Sequence, residues 1–159
     1  MDFVVSKDDG IIPYVLTQIL DACVNGVTLS DPDLPDNPVV YANRAFEIIS
    51  GYPQAEIVGR NCRFLQGSDH DQEGLETIRA AMRKKEPCVV TLRNYRKSGE
   101  RFVNRLSIRP LLDRQGNVLY YLGIQHDVTD LVESRDEVER ARLEIGQLNV
   151  ALERSTARK

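Results

Sequence analysis

The sequence predicts an α+β fold: a five-stranded antiparallel sheet with helices on one face, plus an N-terminal helix and a C-terminal helix. Three observations predict it. Apolar residues recur at helical spacing before residue 26 and again over residues 71–85, then at a period of two from residue 88 onward. The strand-like segments come as two, then helices, then three, and most are joined by turns of hairpin length, which suits antiparallel pairing. A chain of 159 residues, 42% hydrophobic and 28% charged, can bury one core with flanking segments. The expected division is an N-terminal cap segment over residues 1–25, a core over 26–129 and a C-terminal amphipathic helix over 130–159.

Ile12, Val15, Leu16, Ile19, Leu20 and Val24 lie near helical spacing over residues 11–25, with Pro13 tolerated in a first turn. Gly26 opens a strand at Val27–Ser30. The prolines of Asp31–Pro38 forbid regular pairing and make a stiff loop, so Val39–Asn43 returns as the second strand of a hairpin. Two short helices, Arg44–Ser50 and Gln54–Val58, are punctuated by Gly51 and Pro53. Asp71–Lys85 reads as a longer helix with Leu75, Ile78 and Met82 as its apolar stripe and Arg83, Lys84 and Lys85 at its C-terminal end.

In the next strand Cys88, Val90, Leu92, Asn94 and Arg96 share a face. After the turn at Lys97–Glu100, Phe102, Asn104, Leu106 and Ile108 share a face as well. A last strand, Val118–His126, follows the turn at Asp113–Gly116.

The totals exclude several classes. A net charge of −3 and a pI near 5.5 argue against a nucleic-acid partner. No apolar run approaches the ~20 residues of a membrane helix, and the first residues lack the pattern of a signal peptide, so a cytoplasmic protein is expected. Cys23, Cys62 and Cys88 are odd in number and form no CxxC pair, so neither a disulfide framework nor a metal site is expected.

Polar residues stand where parity calls for apolar ones. Asn94 and Asn104 fall on the apolar faces of their strands, where an unpartnered carboxamide costs on the order of a few kcal/mol. A three-residue loop at Ser98-Gly99-Glu100 would set them directly opposite each other. They either read the donor–acceptor edge of a heterocycle together or bond each other and water. Gln125 is a third amide on the face of Leu119, Tyr121 and Gly123, and Gly123 leaves room there for a planar ring. Between Gly59 and Gly67 the segment Arg60-Asn61-Cys62-Arg63-Phe64-Leu65-Gln66 is too polar for a core and too apolar for a free loop. It suits the wall of a pocket for a flat, anionic ligand, with Arg63 and Arg79 offering guanidinium forks for a phosphate.

Four motifs, Gly59–Gly67, Leu92–Lys97, Phe102–Asn104 and Gly123–Gln125, resemble those of the LOV (light-oxygen-voltage) domains, the flavin-binding, blue-light-sensing branch of the PAS fold. The resemblance runs from about Gly26 to Thr129. It implies FMN as cofactor and Cys62 as the photoreactive cysteine. Arg63 and Arg79 match the residues on the phosphate, and Asn61 and Gln66 those along the ribityl chain and phosphate. Asn94 and Asn104 match the pair at the pyrimidine edge, and Gln125 the glutamine beside N5 and O4. Thr28, Ser30, Asn37, Phe46, Leu65, Leu106 and Ile108 stand where that family lines the ring cavity. Val103 and Thr28 depart from its commonest pattern, in which an aromatic precedes the asparagine and a branched apolar residue approaches the ring.

In that family blue light drives a reversible bond between the cysteine sulfur and flavin C4a while N5 gains a proton. Gln125 would then rotate or shift to satisfy the new donor and so relay the signal to the sheet. Nothing is turned over, so the resemblance implies a receptor and not an enzyme.

Beyond Val128, Asp130 suits an N-cap with Glu133 at N3. Leu131, Val138, Ile145 and Leu152 fall at heptad position a, with Ser134, Ala141, Leu148 and Ser155 at d, and Glu137 and Arg142 can pair across a parallel dimer. A homodimer through residues 130–155 is therefore expected, with a stand-alone short LOV protein, or a fragment of a longer one, as its context. Two other readings are a flavin redox sensor, which responds to reductant and not to light, and a cofactor-free PAS dimerisation module, which is colourless.

Overall fold

The computed structural model describes residues 14–156. Helix α1 spans Tyr14–Asp21 and is followed by β1 (Gly26–Ser30), β2 (Val39–Ala42), α2 (Arg44–Ser50) and α3 (Gln54–Ile57). A 3-10 turn at Cys62–Gln66 leads to α4 (Glu73–Lys84), then β3 (Cys88–Tyr95), β4 (Arg101–Leu112), β5 (Val118–Asp127) and α5 (Thr129–Thr156). The expected α+β fold is present, with all five strands in one antiparallel sheet ordered β2-β1-β5-β4-β3. Of the expected helix over 11–25, residues 11–13 lie outside the described residues, as do 157–159 of the C-terminal segment. The chain divides into two units after Asp127.

Asn43 does not continue β2. It is fully buried and caps α2: its Oδ1 accepts from Phe46 N at 3.0 Å and from Val27 N at 2.8 Å. Its Nδ2 donates to the carbonyls of Leu20 and Asn25 at 2.8 and 3.0 Å. One side chain thus satisfies an orphan N–H of α2 and ties that helix to the segment entering β1. At the other end of α2, Gly51 takes the left-handed conformation at φ 75° and returns its N–H to Glu47.

The register of β3 against β4 differs from expectation. Arg96–Glu100 forms a five-residue loop closed by Arg96 N to Glu100 O at 2.9 Å, so Tyr95 pairs with Arg101 and Leu92 stands opposite Asn104. Asn94 faces Phe102 instead. The two-residue slip preserves parity, and both amides stay on the inner face as diagonal neighbours. Pro110 lies in β4 beyond the end of the pairing with β3 at Cys88 and Ile108, opposite Tyr121 of β5.

The edge strand β3 is covered by the segment before α4. Arg93 N donates to Gln72 Oε1 at 2.7 Å, and Gln72 Nε2 donates back to Arg93 O at 3.0 Å, as a neighbouring strand would. Arg93 also grips Asp69 through Nε and a terminal nitrogen at 2.6 and 2.8 Å. The helices and the inner sheet face form two apolar clusters. One holds Val39, Ala42, Phe46, Ile57 and Leu65; the other holds Leu75, Val90 and Leu92 with Ile78 and Leu106 beside them.

Helix α5 begins at Thr129, one residue earlier than expected, so Asp130 lies in its first turn and not at the cap. There its carboxylate still complements the helix dipole. No residue of α5 is buried, and Leu131, Val138, Leu143, Ile145, Leu148 and Leu152 are all exposed. No helix among the described residues is long and apolar enough to cross a membrane.

Candidate functional site

The first unit holds a cavity of about 140 Å³ lined by both clusters and by the inner face of the sheet. Its wall takes Thr28 and Ser30 from β1 and Asn37 from the loop after it. The segment at the 3-10 turn contributes Asn61, Cys62, Arg63, Leu65 and Gln66. Strands β3 and β4 supply Leu92, Asn94, Asn104, Leu106 and Ile108, and β5 supplies Tyr121, Gly123 and Gln125; Ile78 and Met82 close the α4 side. Residues far apart in sequence meet because β1 and β4 flank β5: Gly123 pairs with Thr28 on one side and Ile108 on the other, and Gln125 with Gly26 and Leu106.

The polar groups on this wall are only partly satisfied. Asn104 Nδ2 donates to Asn94 Oδ1 at 2.9 Å, and Asn94 Nδ2 donates to Arg93 O at 3.0 Å. Gln125 Nε2 donates to Thr28 Oγ1 at 3.1 Å. Asn104 Oδ1 and Gln125 Oε1 are buried with no hydrogen-bond partner in the protein. Each such atom carries a desolvation cost of about 1–3 kcal/mol, which a ligand donor in the cavity offsets. The amides therefore both bond each other and present unused acceptors, so the two readings of Asn94 and Asn104 are compatible.

Gly123 keeps the space beside them open. A Cβ there would lie 2.6 Å from Thr28 Oγ1 and 3.0 Å from Gln125 Nε2, with Leu106 Cδ1 next at 3.8 Å. Cys62 lines the same cavity in the first turn after Asn61, whose Oδ1 accepts from Arg63 N at 3.0 Å and so caps the 3-10 turn. The residue as a whole is half-buried, but its sulfur is enclosed. Burial pushes the thiol up to about 12, against a smaller opposing effect of a hydrogen bond with the Thr28 hydroxyl. The sulfur is thus held as a protonated thiol at neutral pH.

Arg63 is at the mouth, paired with Asp36. Asn61 Nδ2 donates to the Asp36 carbonyl at 2.6 Å. Asp36 and Asn37 both adopt positive φ, 72° and 47°, so this loop turns sharply to bring Asn37 to the cavity.

Two expected site residues are elsewhere. Phe46 does not line the cavity; it is fully buried in the core with Val39, Ile57 and Leu65, on the inward face of α2. Arg79 is not on the wall either. It follows Ile78 on α4, and one residue turns a helical side chain by about 100°, which leaves Arg79 exposed and bonded to Glu76 at 3.4 Å. Conversely, Ile78, Met82, Leu92 and Tyr121 are wall residues that pattern reading assigns to core stripes. Tyr121 also donates its hydroxyl to Met82 O at 3.2 Å, tying β5 to the last turn of α4.

The family model for the PAS domain matches residues 24–130. The chain is 41% identical over 138 residues to a blue-light photoreceptor of Listeria monocytogenes, covering 87% of this chain and 54% of the relative. Among solved structures it is similar to an RNA-binding light-oxygen-voltage receptor, with TM-score 0.77, 35% identity and coverage of 92% of this chain and 41% of the other. It is also similar to a light-oxygen-voltage domain whose mechanism was probed with a flavin analogue, with TM-score 0.69, 40% identity and coverage of 82% and 97%. The chain spans about half the length of the curated photoreceptors it matches. Relatives of this kind imply a flavin chromophore, and a wall with a shielded thiol, two unused buried acceptors and a glycine-made gap fits one. The chain belongs to the PAS family and, within it, to the light-oxygen-voltage domains of blue-light photoreceptors.

Proposed function

We propose that this chain is a blue-light receptor that holds FMN in the cavity and bonds it reversibly through the sulfur of Cys62. The observation that carries the reading is the convergence of an enclosed thiol with the unpartnered acceptors Asn104 Oδ1 and Gln125 Oε1 on one wall. A bound flavin supplies blue-light absorption and an electrophilic ring carbon for the thiol.

The chain's own residues do the rest. Asn94 and Asn104 orient the ring edge, Leu65, Leu92, Leu106 and Ile108 exclude water, and Asn61, Gln66 and Arg63 hold the ribityl and phosphate end. For Arg63 this means exchanging the Asp36 carboxylate for the phosphate. Arg79 can join only by leaving Glu76. Gln125 presents an acceptor to the cavity while its amide nitrogen is tied to β1, so a new donor at the ring is felt in β1 and β5 together. In this reading the output is a changed dimer geometry through residues 130–155 of a cytoplasmic protein, without turnover and without nucleic acid or membrane as partner.

The test is the visible spectrum of the purified full chain. A flavin spectrum that bleaches in blue light and returns in the dark is expected. A colourless protein, or a spectrum that answers to reductant and not to light, contradicts the proposal.

A further inference from the structure

Arg63 is the one charged side chain on the cavity wall among the described residues, and its guanidinium is already bonded to the carboxylate of Asp36. A single asparagine builds this pair. Asn61 Nδ2 donates to the Asp36 carbonyl at 2.6 Å and Asn61 Oδ1 accepts from Arg63 N at 3.0 Å, so one amide holds the loop after β1 and the 3-10 turn side by side. Asp36 takes φ 72°, in the left-handed region, where Asn is accommodated as readily as Asp. The turn thus asks for a short polar side chain at this position and not for a charge. The charge goes to Arg63, at the mouth, where both side chains of the pair are more than half exposed, 52% and 60%. Arg79 has its own counter-ion in Glu76, which also takes Arg83 at 2.9 Å.

We infer that Asp36 is a specificity-determining residue that sets how strongly the cavity prefers a phosphorylated flavin over an unphosphorylated one. A guanidinium has several N–H donors but a single positive charge. A phosphate that reaches Arg63 either displaces the carboxylate or shares the guanidinium with it. In both cases it meets a negative charge that Asn61 holds in place through the Asp36 backbone. Riboflavin ends in a neutral hydroxyl and meets no such opposition. Asp36 therefore lowers the advantage of the phosphate and leaves recognition of the ring to the amides of β3, β4 and β5. The cavity admits both flavin forms, and one exposed carboxylate adjusts the balance between them. The inference rests on the reading of the cavity as a flavin site and names which flavins that site discriminates.

The experiment is fluorescence titration, in the dark, of the flavin-free full chain with FMN and with riboflavin, for wild type and Asp36→Asn. Asparagine keeps the side-chain size, the tolerance of positive φ and the backbone carbonyl that Asn61 bonds. Asp36→Gly, which is also at ease at that φ, is a second neutral variant should the first fold poorly. The expected result is FMN bound about three- to fivefold more tightly by either variant, the scale of an exposed ion pair, with riboflavin affinity unchanged. The gain should shrink at high salt, because exposed charges are screened. A ratio of FMN to riboflavin affinity equal to that of wild type overturns the inference. So does a ratio that falls, since Asp36 would then support Arg63 and not compete for it. A chain that binds neither flavin overturns the receptor reading and this inference together. Binding of both with an unchanged ratio overturns this inference alone and leaves reversible bleaching untouched.

Discussion

Asn104 donates its amide N–H to Oδ1 of Asn94 at 2.9 Å, although Leu92 and not Asn94 is its partner across the strands. The diagonal bond aligns the two amides and leaves Asn104 Oδ1 turned into the cavity without a partner. Asn104→Ala removes that acceptor and frees Asn94. Flavin affinity, measured by fluorescence titration of the stripped protein, is expected to fall by roughly tenfold or more, in line with ~1–3 kcal/mol for a buried hydrogen bond. Unchanged affinity removes the pair from the recognition site.

Gly123 is tested by the smallest possible addition. In Gly123→Ala the new methyl meets Thr28 Oγ1 and Gln125 Nε2 well inside contact distance. Relief requires displacing Thr28 or Gln125, an overpacking that costs about 1–3 kcal/mol. A lowered Tm together with poorer flavin retention is expected. A variant as stable and as yellow as wild type shows that the cavity has slack there.

The shielded thiol makes a pH prediction. The folded-state value for Cys62, about 12, lies above the ordinary 9.0, so burial of the neutral thiol stabilises the fold fully below pH 9. That contribution is lost as pH rises through about 12, because the unfolded chain ionises first. Tyr41, also raised to about 12 by burial and by Asp21, adds a similar slope that any Cys62 variant shares. Urea unfolding between pH 8 and 11 should therefore show wild type losing more stability than Cys62→Ala. Parallel slopes indicate a thiol in contact with water.

Helix α5 leaves Leu131, Val138, Ile145, Leu148 and Leu152 exposed, an apolar seam without a partner among the described residues. Ile145→Asp places a charge at the centre of the proposed dimer seam. Light scattering is expected to show a shift from dimer to monomer with the flavin spectrum unchanged. A wild-type monomer, or a dimer indifferent to the substitution, assigns the seam another role.

Legibility followed the strength of the local pattern. The β parity that puts Asn94, Asn104 and Gln125 inward survives a two-residue error in register, because side chains alternate with a period of two. The register itself depended on whether the turn closed at Ser98–Glu100 or at Arg96–Glu100, and Gly99 fits both. Helical residues were harder. On the short α2, Phe46 can be turned to the core or to the cavity without a change in pattern, and Arg79 differs from the wall residue Ile78 by a single position. Ile78, Met82, Leu92 and Tyr121 read as ordinary core because a cavity within a core is lined by the same residue types. Asn43 read as the end of a strand because nothing local reveals that its amide bonds backbone groups as far back as Leu20.

The most direct test of the central assignment is difference spectroscopy of the Cys62→Ala variant with its flavin retained, before and after blue light. The expected result is reversible bleaching in wild type and no bleached product in the variant, the flavin absorbance remaining in place. The same bleached product forming and decaying in Cys62→Ala would contradict the role given to this thiol.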